Sequence, residues 1–383
     1  MYTLLKIIYR SIIYFYKRLL CGYIFHFQKY TIEDVVPINN SFELFITHDY
    51  SGGTHIYEHN YISDRDNVIV LRNLSYRKDF LFSIENHFLH KKVYIKPNKL
   101  FNFFETQHFT VVTINSFVKN NSFRDIIKIL IEKQTKDNIF IRYNVHDFHC
   151  ICPNYTLISN NKYCNINCNK QICKFDRFFI KNIKYIDKWR ETWNNFFYFV
   201  SEIVCFSQSS KEIIQSIYHD INNKIKIIPH SLSYCNFYPI NVKGLDFHVG
   251  IIGNLTTQEK GLLIIKKFLK YAAKNKIKVT IIGKMHFWDK IYSPYIVYRN
   301  SYKLEELQLI IEYEKVTNVL FPSICPETFS YLVSELMTMN MPIVCFNVGA
   351  QAEKITNYAL GCICQSINPE NILYALKKQY TEI

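Results

Sequence analysis

Glycine is scarce in this chain, 10 residues of 383, and acidic side chains are outnumbered, 32 against 46 lysines and arginines. Ile, Asn, Lys, Tyr and Phe are abundant instead, a bias that reflects an AT-rich genome more than function. No apolar run reaches about 18 residues free of charge, which argues against a spanning helix. No small-residue cleavage site follows residues 1–30, which argues against a secretory signal. The expected compartment is therefore the reducing cytosol, where the 12 cysteines are not expected to form stable disulfides. Internal repeats and long low-complexity segments are missing too. The formal charge is +14, yet no nucleic-acid fold signature accompanies it. That sets nucleic acid aside and leaves an anionic membrane face or a phosphorylated substrate as partner.

Hydrophobic residues make up 49% of the chain, enough for the cores of two ordinary domains. Strand and helix signals alternate, which predicts α/β architecture with parallel sheets. In the first half the expected strands are 42–47, 68–72, 92–96, 109–114, 139–145, 203–206 and 225–228, with a long helix over 174–200 and a shorter one over 210–218. A linker is expected over 230–246. The second half reads as strands 247–252, 277–282, 318–321, 342–346 and 361–364, with helices over 261–274, 303–314, 328–339 and 369–380. Each half reads as a doubly wound sheet, with a ligand expected in the cleft between them. The expected organisation is a basic amphipathic segment 1–35, a first Rossmann-like domain 36–235 with a Cys-rich insertion 148–175, a second 236–367, and a C-terminal helix 368–383. Residues 1–30 mix apolar residues with Lys6, Arg10, Lys17, Arg18 and Lys29. They fit an amphipathic helix lying on the cytoplasmic membrane face, or equally an ordinary helix packed on its domain.

The richest stretch is PSICPETFSYLVSELMTMNMPIV. Phe329, Leu332, Val333, Leu336 and Met337 form one apolar stripe of a helix. Asn340 stands where a left-handed residue often ends a helix. Glu327 falls in the loop before the helix and Glu335 about two turns inside it. That spacing lets a helix N-terminus meet a diphosphate while the carboxylates take sugar hydroxyls. Taken alone, two glutamates at this spacing are more often solvated. The flanking prolines, Phe329, Ser330, Met337 and Pro342 complete the pattern, which resembles the donor motif of retaining glycosyltransferases of family 4 (glycosyltransferase group 1), with the GT-B fold of two Rossmann-like domains facing each other across a cleft.

The resemblance runs from about Phe42 to Leu376. It implies transfer of a sugar from a nucleotide diphosphate sugar, with retention, to a saccharide or lipid-linked acceptor in surface polysaccharide or lipopolysaccharide synthesis. It implies that Glu327 binds donor-sugar hydroxyls and Glu335 the nucleotide ribose. Gly253 ends a strand, and the loop after it leads to Lys260 and Gly261; Lys260 would meet the diphosphate. Asn254 stands where the family usually has Arg. Gly349 precedes another helix N-terminus, and Glu353 matches a family glutamate, or is simply a first-turn carboxylate favoured by the helix dipole. In the first half, Gly52, Gly53 and Thr54 would face the donor phosphates and the acceptor. His146 would sit near the reacting sugar, or cap its strand, and Asp147 would bind the acceptor. Ser209 or Ser210 would cap a helix, and Pro229 and His230 would mark the linker.

No clear DxD appears in the donor half, which fits transfer requiring no metal cofactor. The HDF-x-x-x-CP start resembles a subset of these transferases with a Cys-rich insertion. Cys152, Cys164, Cys168 and Cys173 would suit a structural zinc ion, free thiols or disulfides, and Cys150 would be a poorer ligand if the backbone is extended, since it would then point to the opposite strand face. The same fold hosts epimerases and phosphorylases. The non-enzyme alternative is a catalytically degenerate GT-B chain acting as a partner subunit, which Asn254 and Asn340 favour. The transferase itself is expected to be cytoplasmic and peripheral on the inner face of the plasma membrane.

Overall fold

A computed structural model describes residues 28–36, 41–50, 52–74, 81–166 and 186–382. The chain divides into two compact units. One comprises residues 1–155, 174–206 and 213–228, and the other 156–173, 207–212 and 229–383.

The first unit holds an eight-stranded sheet. Its strands are β1 (Phe42–His48), β2 (Val68–Leu74), β3 (Leu81–Asn86), β4 (Lys91–Ile95), β5 (Phe109–Ile114) and β6 (Phe140–Asn144). The short pair β7 (Ile158–Ser159) and β8 (Lys162–Tyr163) comes next in sequence but belongs to the second unit, and β9 (Glu202–Cys205) and β10 (Ile225–Ile227) complete the sheet. The spatial order is β10-β9-β6-β5-β1-β2-β3-β4. All seven residues of β1 are buried, as befits a strand covered on both faces. β3 was not legible beforehand, and it pairs antiparallel with both β2 and β4. Connection length explains the departure from an all-parallel sheet. Only residues 75–80 join β2 to β3, and a parallel crossover needs a dozen or more.

The core of this unit is aromatic. The helix Ile186–Phe199 buries Trp189, Trp193, Phe196 and Phe197, spaced to share one face. Trp193 packs on Phe117, Phe123 and Tyr143. The helix Phe123–Asp137 that supplies Phe123 was also not anticipated. The expected helix over 174–200 is described only from Ile186 onward.

The second unit holds a fully parallel six-stranded sheet. Its strands are β11 (Val249–Asn254), β12 (Val279–Lys284), β13 (Ile296–Arg299), β14 (Asn318–Phe321), β15 (Ile343–Phe346) and β16 (Gly361–Cys364). Their order is β13-β12-β11-β14-β15-β16, so the winding reverses between β11 and β14. Ligands bind outside the carboxyl ends of strands at such a switch point. Apolar clusters cover both faces, one around Phe268 and Leu376, the other around Leu336 and Ile311. Ile158 and Tyr163 of the β7–β8 hairpin pack against the first.

Residues 230–246, expected as a linker, carry neither helix nor strand and belong to the second unit. The motif helix spans Tyr331–Thr338, shorter than anticipated, because Ser330 has φ 63° and a left-handed residue cannot continue a right-handed helix. Asn340 is left-handed as expected, at φ 59°. Helix 303–314 opens with a 3-10 turn, Leu304–Glu306, before Leu307–Glu314.

Candidate active site

Two glycines let the loops of the second unit close on one another. Gly261, at φ +80°, opens the helix Leu262–Lys274, and a Cβ there would lie 2.1 Å from the Pro322 carbonyl oxygen. Gly349, at φ +64°, opens the helix Gly349–Thr356, and its Cβ would lie 2.6 Å from the Glu327 nitrogen. No side chain fits either position. Main-chain bonds fix the result. Ile324 N–H donates to the Glu259 carbonyl at 3.0 Å, and Ala350 N–H to the Glu327 carbonyl at 2.9 Å. Fully buried Gln351 completes the clamp, its Nε2 donating to the Cys325 carbonyl at 2.8 Å and its Oε1 accepting from Glu327 N–H at 3.1 Å.

The loops after β11 and β14 thereby meet. Lys260 Nζ lies 2.5 Å from Glu327 Oε1, with the lysine side chain 43% exposed and the carboxylate 14%. Burial works to raise the Glu327 carboxyl, but the Lys260 ammonium, by its charge and its hydrogen bond, holds it below its ordinary value. Burial works against the Lys260 charge, and Glu327 more than reverses that. A carboxylate and an ammonium are thus held ionised at the switch point.

Glu335 is buried in the motif helix, and its Oε1 accepts from the Tyr234 hydroxyl at 2.9 Å. Burial pushes its carboxyl up, while Tyr234 and Lys354 oppose the rise. Gly253 has φ +118° and comes close to Leu332 of the same helix. Asn254 is exposed, its side-chain oxygen accepting from Thr256 Oγ1 at 2.7 Å.

Around the start of this helix the structure gathers side chains that sequence patterns did not single out as site residues. His230 packs between Phe329 and Tyr331, at centroid distances of 4.6 and 4.9 Å. Burial, with help from the Lys354 charge, lowers its imidazole to about 3, so it is neutral. Lys354 Nζ stands 3.3 Å from the Phe329 ring centroid and donates to Ser334 Oγ. The lysine and serine lie 20 residues apart in sequence, so no local spacing signals the pair.

Glu353 accepts from the main-chain N–H groups of Gln208 (3.1 Å) and Ser209 (2.7 Å), at the start of the helix Gln208–Gln215. Here a carboxylate answers a helix N-terminus. The helix begins earlier than expected, so Ser207, and neither Ser209 nor Ser210, caps it, its Oγ accepting from Ser210 N–H at 3.1 Å.

In the first unit, β1 ends at His48, and Gly52, at φ 129°, starts the helix Gly53–Ile62; Ser51 is outside the described residues. The Thr54 carbonyl accepts from Asn115 Nδ2 at 3.4 Å. His48 Nδ1 accepts from Tyr50 N–H at 3.1 Å, and burial lowers its imidazole to about 4. Beyond β6, the His146 ring packs between Tyr57 and Phe206, with centroids at 4.8 and 4.4 Å. Asp147 accepts from Ser116 Oγ at 2.7 Å and from His149 N–H at 2.8 Å. Burial nevertheless pushes its carboxyl up to about 6. Arg72, which no sequence motif marks, ties Glu58 and Glu85 together and donates to the His48 carbonyl at 3.1 Å.

Cys152 is buried and Cys164 half-buried, and Cys168 and Cys173 lie outside the described residues. Among the described residues no group of His, Cys, Asp and Glu is arranged to hold a metal ion. No helix among them is long and apolar enough to cross a membrane. Most of the basic segment 1–30 lies outside them.

Residues 246–382 match the family model described as "Glycosyl transferases group 1". No curated protein matches the chain by sequence. Solved structures share its fold. HepE of Anabaena in complex with UDP superposes with a TM-score of 0.58 at 14% identity, over 88% of this chain and 89% of that one. Sucrose-phosphate synthase of Thermosynechococcus elongatus gives 0.56 at 13% identity, over 89% and 93%. The lipopolysaccharide outer core galactosyltransferase WaaB, in its apo form, gives 0.56 at 12% identity, over 88% and 90%. The fold is the GT-B fold of these structures.

Proposed function

We propose that the chain transfers a sugar from a nucleotide diphosphate sugar to a saccharide or lipid-linked acceptor with retention of anomeric configuration, in surface polysaccharide or lipopolysaccharide synthesis. The observation that carries this reading is the Lys260–Glu327 pair at the switch point, beside a helix that buries Glu335. In the reaction the bond between the anomeric carbon and the β-phosphate oxygen breaks, and its electron pair leaves with the diphosphate. The acceptor oxygen bonds to the same face of the sugar, and its proton passes to the departing phosphate. The enzyme has to stabilise the diphosphate beside an oxocarbenium-like sugar. Lys260 and the N–H groups near Phe329 and Ser330 neutralise the leaving charge, Glu327 holds sugar hydroxyls, and Glu335 holds the ribose. His146, Asp147 and the loop Gly52–Gly53–Thr54 serve the reacting sugar and acceptor. HepE has been crystallised with UDP-glucose, which makes UDP-sugars the first donors to try.

The net charge of +14 supports work at an anionic membrane face, and WaaB is a lipopolysaccharide transferase. A catalytically degenerate partner subunit is the second reading, favoured by the neutral Asn254. The two separate by experiment. The purified chain is incubated with radiolabelled UDP-, GDP- and ADP-sugars and membrane extract, and the anomeric configuration of any product is read by NMR. A retained linkage made by the unaltered chain and lost in a folded Glu327→Gln variant supports the transferase. An inverted product contradicts retention, and activity indifferent to Glu327→Gln contradicts the site.

A further inference from the structure

The charge balance at the switch point points to a group outside the sequence motifs. Lys260 is held against Glu327, so that pair brings no net charge to a ligand. Asn254, at the end of β11, is neutral. Glu353 is occupied by two main-chain N–H groups. A nucleotide diphosphate is strongly anionic, and its charge grows as the sugar departs. With the Lys260 charge shared with Glu327, a second cation is needed to meet it.

Lys354 has the geometry for that task. It lies on the helix Gly349–Thr356, but its ammonium reaches the first turn of the helix Tyr331–Thr338. There it stands over the Phe329 ring and donates to Ser334 Oγ. Among the described residues no carboxylate forms an ion pair with it within 4.0 Å. An ammonium carries three donors, and the hydroxyl takes one. A partly buried cation without a counter-ion is costly, and an anionic ligand relieves the cost. The Phe329 ring fixes the side chain by cation–π attraction and leaves its charge in place.

Resting on the functional reading above, we infer that Lys354 supplies the second positive charge to the donor diphosphate, in company with Lys260, and that its main effect is on the β-phosphate. The charged and titratable groups that face Lys354 are Glu327 from the loop after β14, Glu335 from the motif helix, Glu353 from its own helix and neutral His230 from the linker. Burial lowers the Lys354 ammonium to about 8, and the three carboxylates oppose that fall. A bound diphosphate would hold the proton on.

The test is calorimetric. UDP, GDP and ADP are titrated into the unaltered chain, and the tightest binder is compared with its own monophosphate in Lys354→Met and Lys354→Arg. Methionine keeps an unbranched apolar stem of nearly the same length without the charge, and thermal melting checks that each variant is folded. The expected result is a loss of about 10-fold or more in diphosphate affinity for Lys354→Met, a much smaller loss for the monophosphate, and recovery in Lys354→Arg. Equal weakening of both nucleotides would show a merely structural role and overturn the inference. Unchanged diphosphate binding in Lys354→Met would overturn it while leaving the functional reading intact. Failure of the unaltered chain to bind any of the three would overturn both.

Discussion

Lys260 Nζ and Glu327 Oε1 lie 2.5 Å apart although 67 residues separate them in sequence, because left-handed Gly261 lets the loops after β11 and β14 close together. In the proposed reaction this cation meets the departing diphosphate and this carboxylate the sugar hydroxyls. Lys260→Ala is expected to lower kcat/KM by about 100-fold or more, the usual scale for removing one group that stabilises developing charge. Steady-state kinetics with the accepted donor check it, and a loss under 3-fold would remove Lys260 from the chemistry.

Gly261 should be intolerant of any side chain. Its φ of +80° disfavours L-residues, and a Cβ would sit 2.1 Å from the Pro322 carbonyl oxygen. Gly261→Ala is expected to cost about 1–3 kcal/mol in stability and to lower donor affinity by shifting Lys260 against Glu327. Chemical denaturation alongside nucleotide binding measures both, and a variant with unaltered melting and binding would contradict the packing described.

Arg72 is an internal brace of the first unit. Its side chain is 11% exposed, while its partners Glu58 and Glu85 are 3% and 9% exposed. Truncating one partner of a buried ion pair leaves the others uncompensated, so Arg72→Ala is expected to cost about 3–5 kcal/mol. Urea unfolding checks the figure. Because Arg72 also holds the His48 carbonyl, activity should fall further than the fraction unfolded explains.

Asp147 gives the stability a defined pH dependence. Its carboxyl is raised by burial from an ordinary 3.8 to about 6, despite the Ser116 and His149 hydrogen bonds. The folded chain therefore keeps a proton that the unfolded chain releases between those values. The resulting stabilisation is fully present below about pH 4 and is lost as pH rises through about 6. Asp147→Asn should flatten this part of the stability profile, by on the order of 1–3 kcal/mol. Melting curves from pH 4 to 7 would read it, and an unchanged slope would contradict the burial described.

Lys354 predicts a pH dependence of binding with its own sign. Diphosphate affinity should fall as pH rises through about 8, where the free ammonium loses its proton. In Lys354→Arg the affinity should persist to pH 9, since a guanidinium stays charged. A parallel decline in both proteins would place the titrating group elsewhere.

The periodicity of the second unit was legible because its sheet is fully parallel and buried, so each strand reads as an apolar run. β14 and β16 fall at their expected bounds. The antiparallel β3 went unseen, since its partners are set by the short connection 75–80 and by no pattern within LFSIEN. Start points drifted where one residue's backbone overrode propensity, as at left-handed Ser330. Among the candidate site residues, Glu327, Glu335 and Lys260 stand out in sequence because they lie within short motifs. Tyr234, Gln351 and Lys354 do not, because each acts on a group supplied by a distant segment. Asn254 could be seen to lack a charge, but where a replacement cation would come from is decided by tertiary packing.

The central claim is a working nucleotide-diphosphate site in the second unit. Calorimetric titration of UDP, GDP and ADP into the full chain, with Glu335→Ala alongside, tests it most directly. The account predicts that one diphosphate binds with Kd on the order of micromolar, about −8 kcal/mol, and that a folded Glu335→Ala variant loses most of that affinity. A folded chain that binds none of the three, or a variant that binds as well as the parent, would contradict it.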